Sequence, residues 1–349
     1  MRLEARAEVS RTLQVAAPFA AIVFTLVVCS LLVAWAGVPV GSAYLLLLEG
    51  GFGSGFAVSE TLTRATPLIL TGLAVAVAFR AKLYNIGAEG QLYIGALAAV
   101  AVGGAGLPLP PALLFPLMAA AAMVAGALLL LGPALLKTRF HVDEVVTTLL
   151  LNFIALLFVS MLLDGPMKDP AALGWPQSVA IPAELELPRL AARSRVHSGL
   201  LIALSLAVLV WIVDRFTAFG FEMRAVGANA RAAAFAGMPV QAVVVRTALF
   251  SGALAGLAGC IEVAGRAGYL TLDMSPGYGY TGIVIAMLAQ LNPIAVVAAA
   301  IFVAGILVGA DSMSRAIAVP TYIADVIVAA SLIAMLVATM LARYRIHWR

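Results

Sequence analysis

Long apolar stretches recur along the whole chain and are separated by short polar ones. Because a transmembrane helix needs about 20 apolar residues, the pattern predicts roughly ten spans, several of them short enough to require broken or tilted helices. The predicted spans cover residues 15–37, 65–80, 91–106, 112–136, 145–163, 199–216, 246–264, 281–291, 294–310 and 322–342. The pattern is typical of an all-α membrane protein, a polytopic bundle that forms one transmembrane domain over residues 1–349.

The composition excludes a water-soluble chain. Of the 349 residues, 63% are hydrophobic and only 11% are charged, whereas about a quarter of a soluble domain is charged. A soluble fold of this length could not bury so much apolar surface in one core. The formal charge of +4 does not indicate nucleic-acid binding, because the basic residues stand at the ends of apolar runs and not on one face. We therefore expect membrane lipid around the chain, and no nucleic acid as a partner.

The basic residues predict the orientation in the membrane. If the N-terminus is cytoplasmic and the spans alternate, 14 of the 21 Lys and Arg residues fall inside and 7 fall outside. Both termini are therefore predicted to be cytoplasmic, although an odd number of spans would break this scheme. Two hydrophilic stretches stand out: Asp164–Ser198 falls outside, and Asp214–Arg246 falls inside.

Each half of the chain has a glycine-interrupted polar segment after its second span. These segments are residues 84–91, YNIGAEGQ, and residues 275–282, SPGYGYTG. Paired broken segments at matching places indicate a transport pathway, because irregular backbone at membrane depth persists only where protein or water satisfies its polar groups. The predicted pathway residues are Asn85, Glu89, Gln91, Tyr278 and Tyr280.

Glu89 is the sharpest of these features, and it has a simpler interpretation. A charge near the bilayer centre is costly and usually faces the interior of the helix bundle. In the alternative interpretation the first segment is only a cytoplasmic turn, in which Glu89 balances Arg80 and Lys82 at the membrane surface.

The inside stretch contains a short predicted helix over Asn229–Gly237. Asn229 is a good N-cap, an alanine-rich turn follows, and Gly237 with Pro239 ends the helix. Phe235 is its single large apolar side chain.

A helix of this kind can dock into a groove on a cytoplasmic partner. The preceding stretch would connect that contact to the span that begins near Arg246. The alternative is an interfacial amphipathic loop without a partner. The residues predicted to couple the chain to a partner are Arg224, Gly227, Asn229, Phe235 and Gly237.

Other polar features predict structural roles. Glu262 and Arg266 are four residues apart and are expected to pair on one helix face, and Asp325 suits a helix start. A proton relay through these acids is the alternative. Cys29 and Cys260 lie inside apolar runs, so neither a disulfide framework nor a metal site is predicted.

No catalytic motif is present in the sequence. None of the three lysines follows a glycine, so the Walker A sequence is absent and the chain cannot hydrolyse ATP by that route. The HExxH and GxSxG patterns are absent as well.

Three segments carry a family resemblance. Residues 79–96, FRAKLYNIGAEGQLYIGA, closely resemble permease subunits of the ABC importers for nucleosides and simple sugars, within the branched-chain amino acid and ribose permease family. Residues 224–240, RAVGANARAAAFAGMPV, are similar to the cytoplasmic coupling segment of that family, and residues 274–288, MSPGYGYTGIVIAML, to its other recurrent motif. The resemblance covers about residues 65–340, with Tyr84 where Phe is more usual.

The resemblance implies a type II importer fold in a bacterial cytoplasmic (inner) membrane. Two permeases, copies or relatives, form the pore, two ATPase subunits bind the coupling segments, and an extracytoplasmic binding protein delivers the solute. ATP and magnesium belong to the ATPase, so this chain is not an enzyme and holds no cofactor. Nucleosides are the first expectation for the solute and simple sugars the second. The alternatives are a secondary transporter driven by ions or protons, and an intramembrane enzyme.

Overall fold

The computed structural model describes residues 2–5, 11–35, 37–191, 194–317 and 344–347, with isolated positions between 322 and 338. These residues are mostly helical. The helices are α1 (Arg11–Trp35), α2 (Val40–Phe52), α3 (Gly55–Arg80), α4 (Ala88–Gly103), α5 (Pro111–Phe140), α6 (Glu144–Asp164), α7 (Gly199–Phe216), α8 (Ala218–Ala228), α9 (Ala230–Phe235), α10 (Val240–Glu262), α11 (Tyr278–Leu288) and α12 (Pro293–Ile317). A 3-10 turn covers Ala183–Leu185, a π-helical turn covers Val263–Ala267, and two short strands are β1 (Arg2–Ala5) and β2 (Tyr344–His347).

Six of the described helices are long and apolar enough to cross a membrane, namely α3, α5, α6, α7, α10 with its π-helical turn, and α12. Three shorter apolar helices, α2, α4 and α11, have 13, 16 and 11 residues. At 1.5 Å per residue, α11 is about 16 Å long, roughly half the thickness of the hydrocarbon core. The polytopic helical bundle is confirmed, but the count of about ten spans is not.

The predicted boundaries succeed where a span is uniformly apolar. The span predicted at 199–216 is α7. The prediction missed α2, which has only 13 residues. It also missed the first ten residues of α3, because Ser59, Thr61 and Thr63 lower the hydropathy there although the structure buries all three. Sequence alone cannot show that such polar side chains are enclosed by other helices.

The inside stretch is more helical than predicted. It contains α8 and α9, and α10 begins at Val240 and not near Arg246. Pro39 and Pro239 flank helix starts, as expected for a residue that cannot continue a preceding helix. The predicted span 322–342, with Asp325, lies mostly outside the described residues.

The chain divides into two compact units, Met1–Thr61 with Ile301–Arg349, and Leu62–Ala300. In the first unit, β1 and β2 pair antiparallel, so residues 2–5 lie beside residues 344–347. Here α2 contacts α12 closely, because a Cβ at Gly309 would lie 2.0 Å from the carbonyl oxygen of Leu47. The single permease domain over 1–349 and the cytoplasmic position of both ends stay predictions.

In the second unit, α10 packs between α4 and α5 through small residues. A Cβ at Gly256 would lie 2.2 Å from the carbonyl oxygen of Ala122, and one at Gly259 would lie 2.0 Å from that of Leu92. Close backbone approach of this kind replaces the hydrophobic effect as the source of helix association in lipid. Cys260 is fully buried in this contact region, as predicted for a small core residue.

The topology can be tested with single-cysteine labels at two exposed positions on either side of α7. Leu173 is 101% exposed in the 164–198 loop, and Ala228 is exposed at the end of α8. We expect a membrane-impermeant thiol reagent to label Leu173→Cys and Ala228→Cys from opposite faces. The unsubstituted chain is the control, since Cys29 and Cys260 are buried. Labelling of both variants from one face would contradict the orientation.

Candidate functional site

The two glycine-interrupted segments meet in the second unit. They lead into α4 and α11, and the first turns of these two short helices are in contact. A Cβ at Gly279 would lie 2.1 Å from the backbone nitrogen of Glu89, so a larger residue at Gly279 would separate the helices. The structure therefore brings together the two segments that sequence analysis paired.

Glu89 bonds to the beginning of α11. Its carboxylate accepts a hydrogen bond of 2.5 Å from the amide of Gly279, in the first turn of α11. A helix start leaves such amide donors unsatisfied, and the positive end of the helix dipole favours an acid there. Glu89 is only 3% exposed.

The alternative interpretation of Glu89 as a surface counter-charge is therefore wrong. Arg80, one of its supposed partners, pairs instead with Asp214 at 3.2 Å. Lys82 is exposed, whereas Glu89 lies inside the bundle.

Asn85 and Gln91 form a reciprocal amide pair. The Asn85 Nδ2 donates to the Gln91 Oε1 at 3.0 Å, and the Gln91 Nε2 donates to the Asn85 Oδ1 at 2.9 Å. Asn85 also donates to the hydroxyl of Ser251, which donates to the carbonyl oxygen of Ala74. The pair thus fixes the turn between α3 and α4 against α10. Both side chains are buried, so their contact with a solute stays a prediction.

The two tyrosines of the second segment lie in different surroundings. Tyr278 is buried, and its hydroxyl lies 3.2 Å from a guanidinium nitrogen of Arg266, which also pairs with Glu262 at 2.9 Å. The predicted pairing of Glu262 with Arg266 is confirmed. Tyr280 is 36% exposed, and its hydroxyl accepts a hydrogen bond from Asn152 at 3.2 Å. Their place on a pathway stays a prediction.

Asn152 was not predicted from the sequence as a site residue. Its side chain accepts from the amide of Gly90 and donates to the carbonyl oxygen of Ile86, both at 2.8 Å. It therefore holds both sides of the break before α4. The available signal was a lone amide inside the otherwise apolar run of α6.

The segment predicted to couple the chain to a partner has the predicted local structure. Asn229 caps α9 by accepting from the amides of Arg231 and Ala232 at 3.0 and 3.1 Å. Gly237 ends this turn with a φ of +85°, a conformation that favours glycine. Phe235 is 97% exposed. The cap, the short helix and the glycine stop are confirmed, whereas the docking role stays a prediction.

The segment is joined to the bundle through α8. A Cβ at Gly227 would lie 1.8 Å from the carbonyl oxygen of Arg80, so α8 rests directly on the end of α3. Arg224 pairs with Asp214 at 3.3 Å, and Arg80 pairs with the other oxygen of the same carboxylate. Sequence analysis did not single out Asp214, because its partners are distant in the chain.

Arg80 extends this connection to α11. Its guanidinium also donates to the carbonyl oxygen of Leu291 at 3.0 Å, in the tight turn after α11. Gln290 and Leu291 both have a positive φ, 51° and 60°, so this turn is held in a conformation unfavourable for their side chains.

The loop between α6 and α7 is bound to the segment that precedes α11. The amide of Leu187 donates to the carbonyl oxygen of Ala264, and the amide of Ile181 to that of Gly268, both at 2.8 Å. Burial lowers the pKa of His197 to about 4. A neutral imidazole therefore fills the space beside Gly265 at the end of this loop, since a Cβ at Gly265 would lie 2.3 Å from the ring. Within the described residues no three His, Cys, Asp or Glu side chains form a possible metal site.

Comparisons with known proteins match most of the chain. A sequence model of one protein family, the branched-chain amino acid transport system permease component, matches residues 57–336. The chain is 39% identical to the glucose ABC transporter permease protein TsgB13 of Haloferax volcanii, over 87% of this chain and 82% of the relative. It is 38% identical to the guanosine ABC transporter permease protein NupP of Bacillus subtilis, over 92% of both chains. It is 30% identical to the nucleoside ABC transporter permease protein NupB of Lactococcus lactis, over 92% and 90%.

The contact between Glu89 and α11 predicts the effect of Glu89→Gln. We expect normal membrane insertion and reduced uptake, because a neutral amide binds the helix start more weakly than a carboxylate. Uptake is measured in cells at matched expression. Asp143→Asn, at the exposed start of α6, is the control and should be silent, because Asn caps a helix start about as well as Asp. Normal uptake by Glu89→Gln would mean that the contact has no part in transport.

Proposed function

The chain belongs to the branched-chain amino acid transport permease family and is the membrane-spanning permease subunit of an ABC importer, and on that premise we propose that it conducts nucleosides or simple sugars. The names of the relatives support this choice of solute, since two carry nucleosides or guanosine and one carries glucose. The single observation that carries the pathway is the contact between the starts of α4 and α11.

The pathway proposal follows from the depth of this contact. Short helices that begin inside the bundle leave backbone groups without hydrogen bonds, and lipid cannot satisfy these groups. Such helix starts therefore occur where protein or a water-filled cavity surrounds them. A carboxylate, two amides and two tyrosines surround the contact, namely Glu89, Asn85, Gln91, Tyr278 and Tyr280. We infer that they hold the break in shape and so determine the width of the route, while the binding protein supplies most of the affinity.

The partner at α9 is proposed to be the ATPase subunit, which carries ATP and magnesium. A fully exposed phenylalanine on a short helix of small residues is suited to a pocket on another protein. Beside it lies an open cleft of about 1100 Å³ between α9 and the ends of α3 and α5. Lys82, Lys137 and Arg231 line this cleft, and its lining contains no acidic residue. Acidic groups of the ATPase would complement it.

The proposed coupling route runs from α8 to the two short helices α4 and α11. Movement of α8 by the ATPase would act on the end of α3 through Gly227, because these backbones are in direct contact. Asp214 ties Arg224 of α8 to Arg80 of α3, and Arg80 reaches the turn after α11. Both short helices are thereby attached to one lever, α4 through the turn after Arg80 and α11 through the turn that follows α11. We infer that nucleotide binding shifts the population of pathway conformations through this lever.

The remaining partners follow from the exposed surfaces. The 164–198 loop is proposed as the docking surface of the extracytoplasmic binding protein, and its hydrogen bonds to Ala264 and Gly268 connect it to the pathway segment. A second permease, a copy or a relative, and membrane lipid would cover the exposed apolar faces, such as Phe153, Leu157 and Met161 on α6. We place both chain ends in the cytoplasm and the protein in the bacterial cytoplasmic (inner) membrane.

Phe235→Ala tests ATPase docking. We expect it to reduce co-purification of the ATPase subunits and ATP-driven uptake in proteoliposomes, since a hot-spot aromatic contributes about 2 kcal/mol or more. Leu173→Ala removes an equally exposed apolar side chain from the 164–198 loop and should leave ATPase binding unchanged. Full ATPase binding and full coupling by Phe235→Ala would make α9 a loop without this partner. Uptake that needs no ATPase at all would instead favour a secondary transporter.

Asp214→Asn tests the lever separately from docking. Loss of the negative charge of Asp214 should weaken the link between Arg80 and Arg224 while leaving α9 intact. We therefore expect the ATPase still to bind, but less solute to enter per ATP hydrolysed. Asp143→Asn is the control, because Asp143 only caps α6 at an exposed helix start. The measurement is the ratio of uptake to ATP hydrolysis in proteoliposomes. An unchanged ratio for Asp214→Asn would remove the ion pairs from the coupling route.

A further inference from the structure

A cavity of about 230 Å³ lies at the end of α7, next to the ends of α3 and α8 and the turn between α11 and α12. Three arginines line it, Arg80, Arg215 and Arg224, with Asp214 and Trp211. It is separate from the cleft beside α9, and three of its residues, Arg80, Asp214 and Arg224, also form the proposed coupling route.

The cavity has more positive than negative charge. The carboxylate of Asp214 faces two guanidinium groups, those of Arg80 and Arg224. Arg215 makes no ion pair or hydrogen bond with the part of the chain that the structure describes. The Nε of Arg80 is buried and has no hydrogen-bond partner among the described residues.

Such an arrangement has a surplus of positive charge, because one carboxylate faces three arginines. A buried donor without an acceptor is unfavourable, and arginines in close proximity repel each other unless counter-charge is present. The planar guanidinium group binds phosphate oxygens in a two-pronged geometry, which suits a phosphate ester or ion in this space.

The surface of α7 indicates where the phosphate comes from. One face of α7 is buried, and the opposite face carries exposed apolar side chains along its length, Leu201, Val208, Leu209, Ile212 and Phe216. This face ends beside Trp211, which stacks edge-on with Phe216 at a centroid distance of 5.4 Å. Tryptophan is enriched at the level of lipid headgroups. An acyl chain along this face would hold its phosphate at the arginines.

We propose that this cavity binds the phosphate headgroup of an anionic phospholipid, whose negative charge offsets part of the positive charge that Asp214 leaves on Arg80, Arg215 and Arg224. The inference requires only that α7 crosses the membrane. It is independent of the solute and of the ATPase. Basic pockets between helix ends are known to hold anionic headgroups, and here the lipid would stabilise the junction of α3, α7 and α8.

The test compares the purified permease in nanodiscs of phosphatidylcholine with and without phosphatidylglycerol. We expect phosphatidylglycerol to raise the melting temperature and to stay bound in native mass spectrometry. Arg215→Gln should reduce this retention about tenfold, as expected for loss of a charge-assisted hydrogen bond, and should abolish the rise in melting temperature. Arg215 forms no part of the ion pairs with Asp214, so the fold is retained.

Arg139→Gln is the matched control. Arg139 is an exposed arginine at the end of α5 that does not line the cavity, so this variant should behave like the unsubstituted chain. Equal loss of lipid from both variants would reduce the effect to general surface charge and overturn the proposal. The same melting temperature in both nanodiscs would overturn it too. Inorganic phosphate added to phosphatidylcholine nanodiscs should have no effect; if it matches phosphatidylglycerol, the ligand is free phosphate and the lipid assignment fails.

Discussion

The carboxylate of Glu89 bonds to the first turn of α11, and the geometry of the second unit around the break depends on this interaction. Two short helices, α4 and α11, start here, and each start leaves amide groups without partners. In lipid such groups are costly, because no water is available to satisfy them. One buried acid resolves this for α11, while Asn152 serves the amide of Gly90 in α4. The break is therefore a packed and hydrogen-bonded structure.

Close packing makes this arrangement stiff. Gly279 brings the two helix starts together, and Gly256 and Gly259 bring α10 against its neighbours. Where backbones touch, a displacement of one element has little side-chain slack to absorb it. The same holds at Gly227, where α8 touches the end of α3. The proposed coupling route from α8 therefore needs no long chain of flexible contacts.

Charged residues inside the helix bundle have different surroundings from those at the ends of α3, α7 and α8. Inside the bundle the acids Glu89 and Glu262 are buried and each is bound to a protein group. At the ends of α3, α7 and α8, arginines outnumber acids, and Asp214 organises only part of them. The interior charges therefore define structure, whereas the surplus at the helix ends remains available to partners outside this chain, protein or lipid.

Features whose interacting residues are close together in the chain could be predicted from the sequence. Apolar length predicted α7, and local signals predicted the cap at Asn229 and the stop at Gly237. The pair Glu262–Arg266 followed from helical spacing. These features were predictable because their partners lie within a turn or two of the chain.

Contacts between residues that are far apart in the chain could be identified only from the tertiary structure. Glu89 and Gly279 are 190 positions apart, and neither residue's local pattern specifies the other. The same applies to Asp214 with Arg80, and to Asn152 with the turn before α4. It also explains the missed start of α3, where Ser59, Thr61 and Thr63 are polar in the sequence and buried in the structure. Burial and long-range hydrogen bonds are properties of the packed bundle, because lipid supplies no hydrogen bonds and each buried polar group must find its partner wherever the fold brings one.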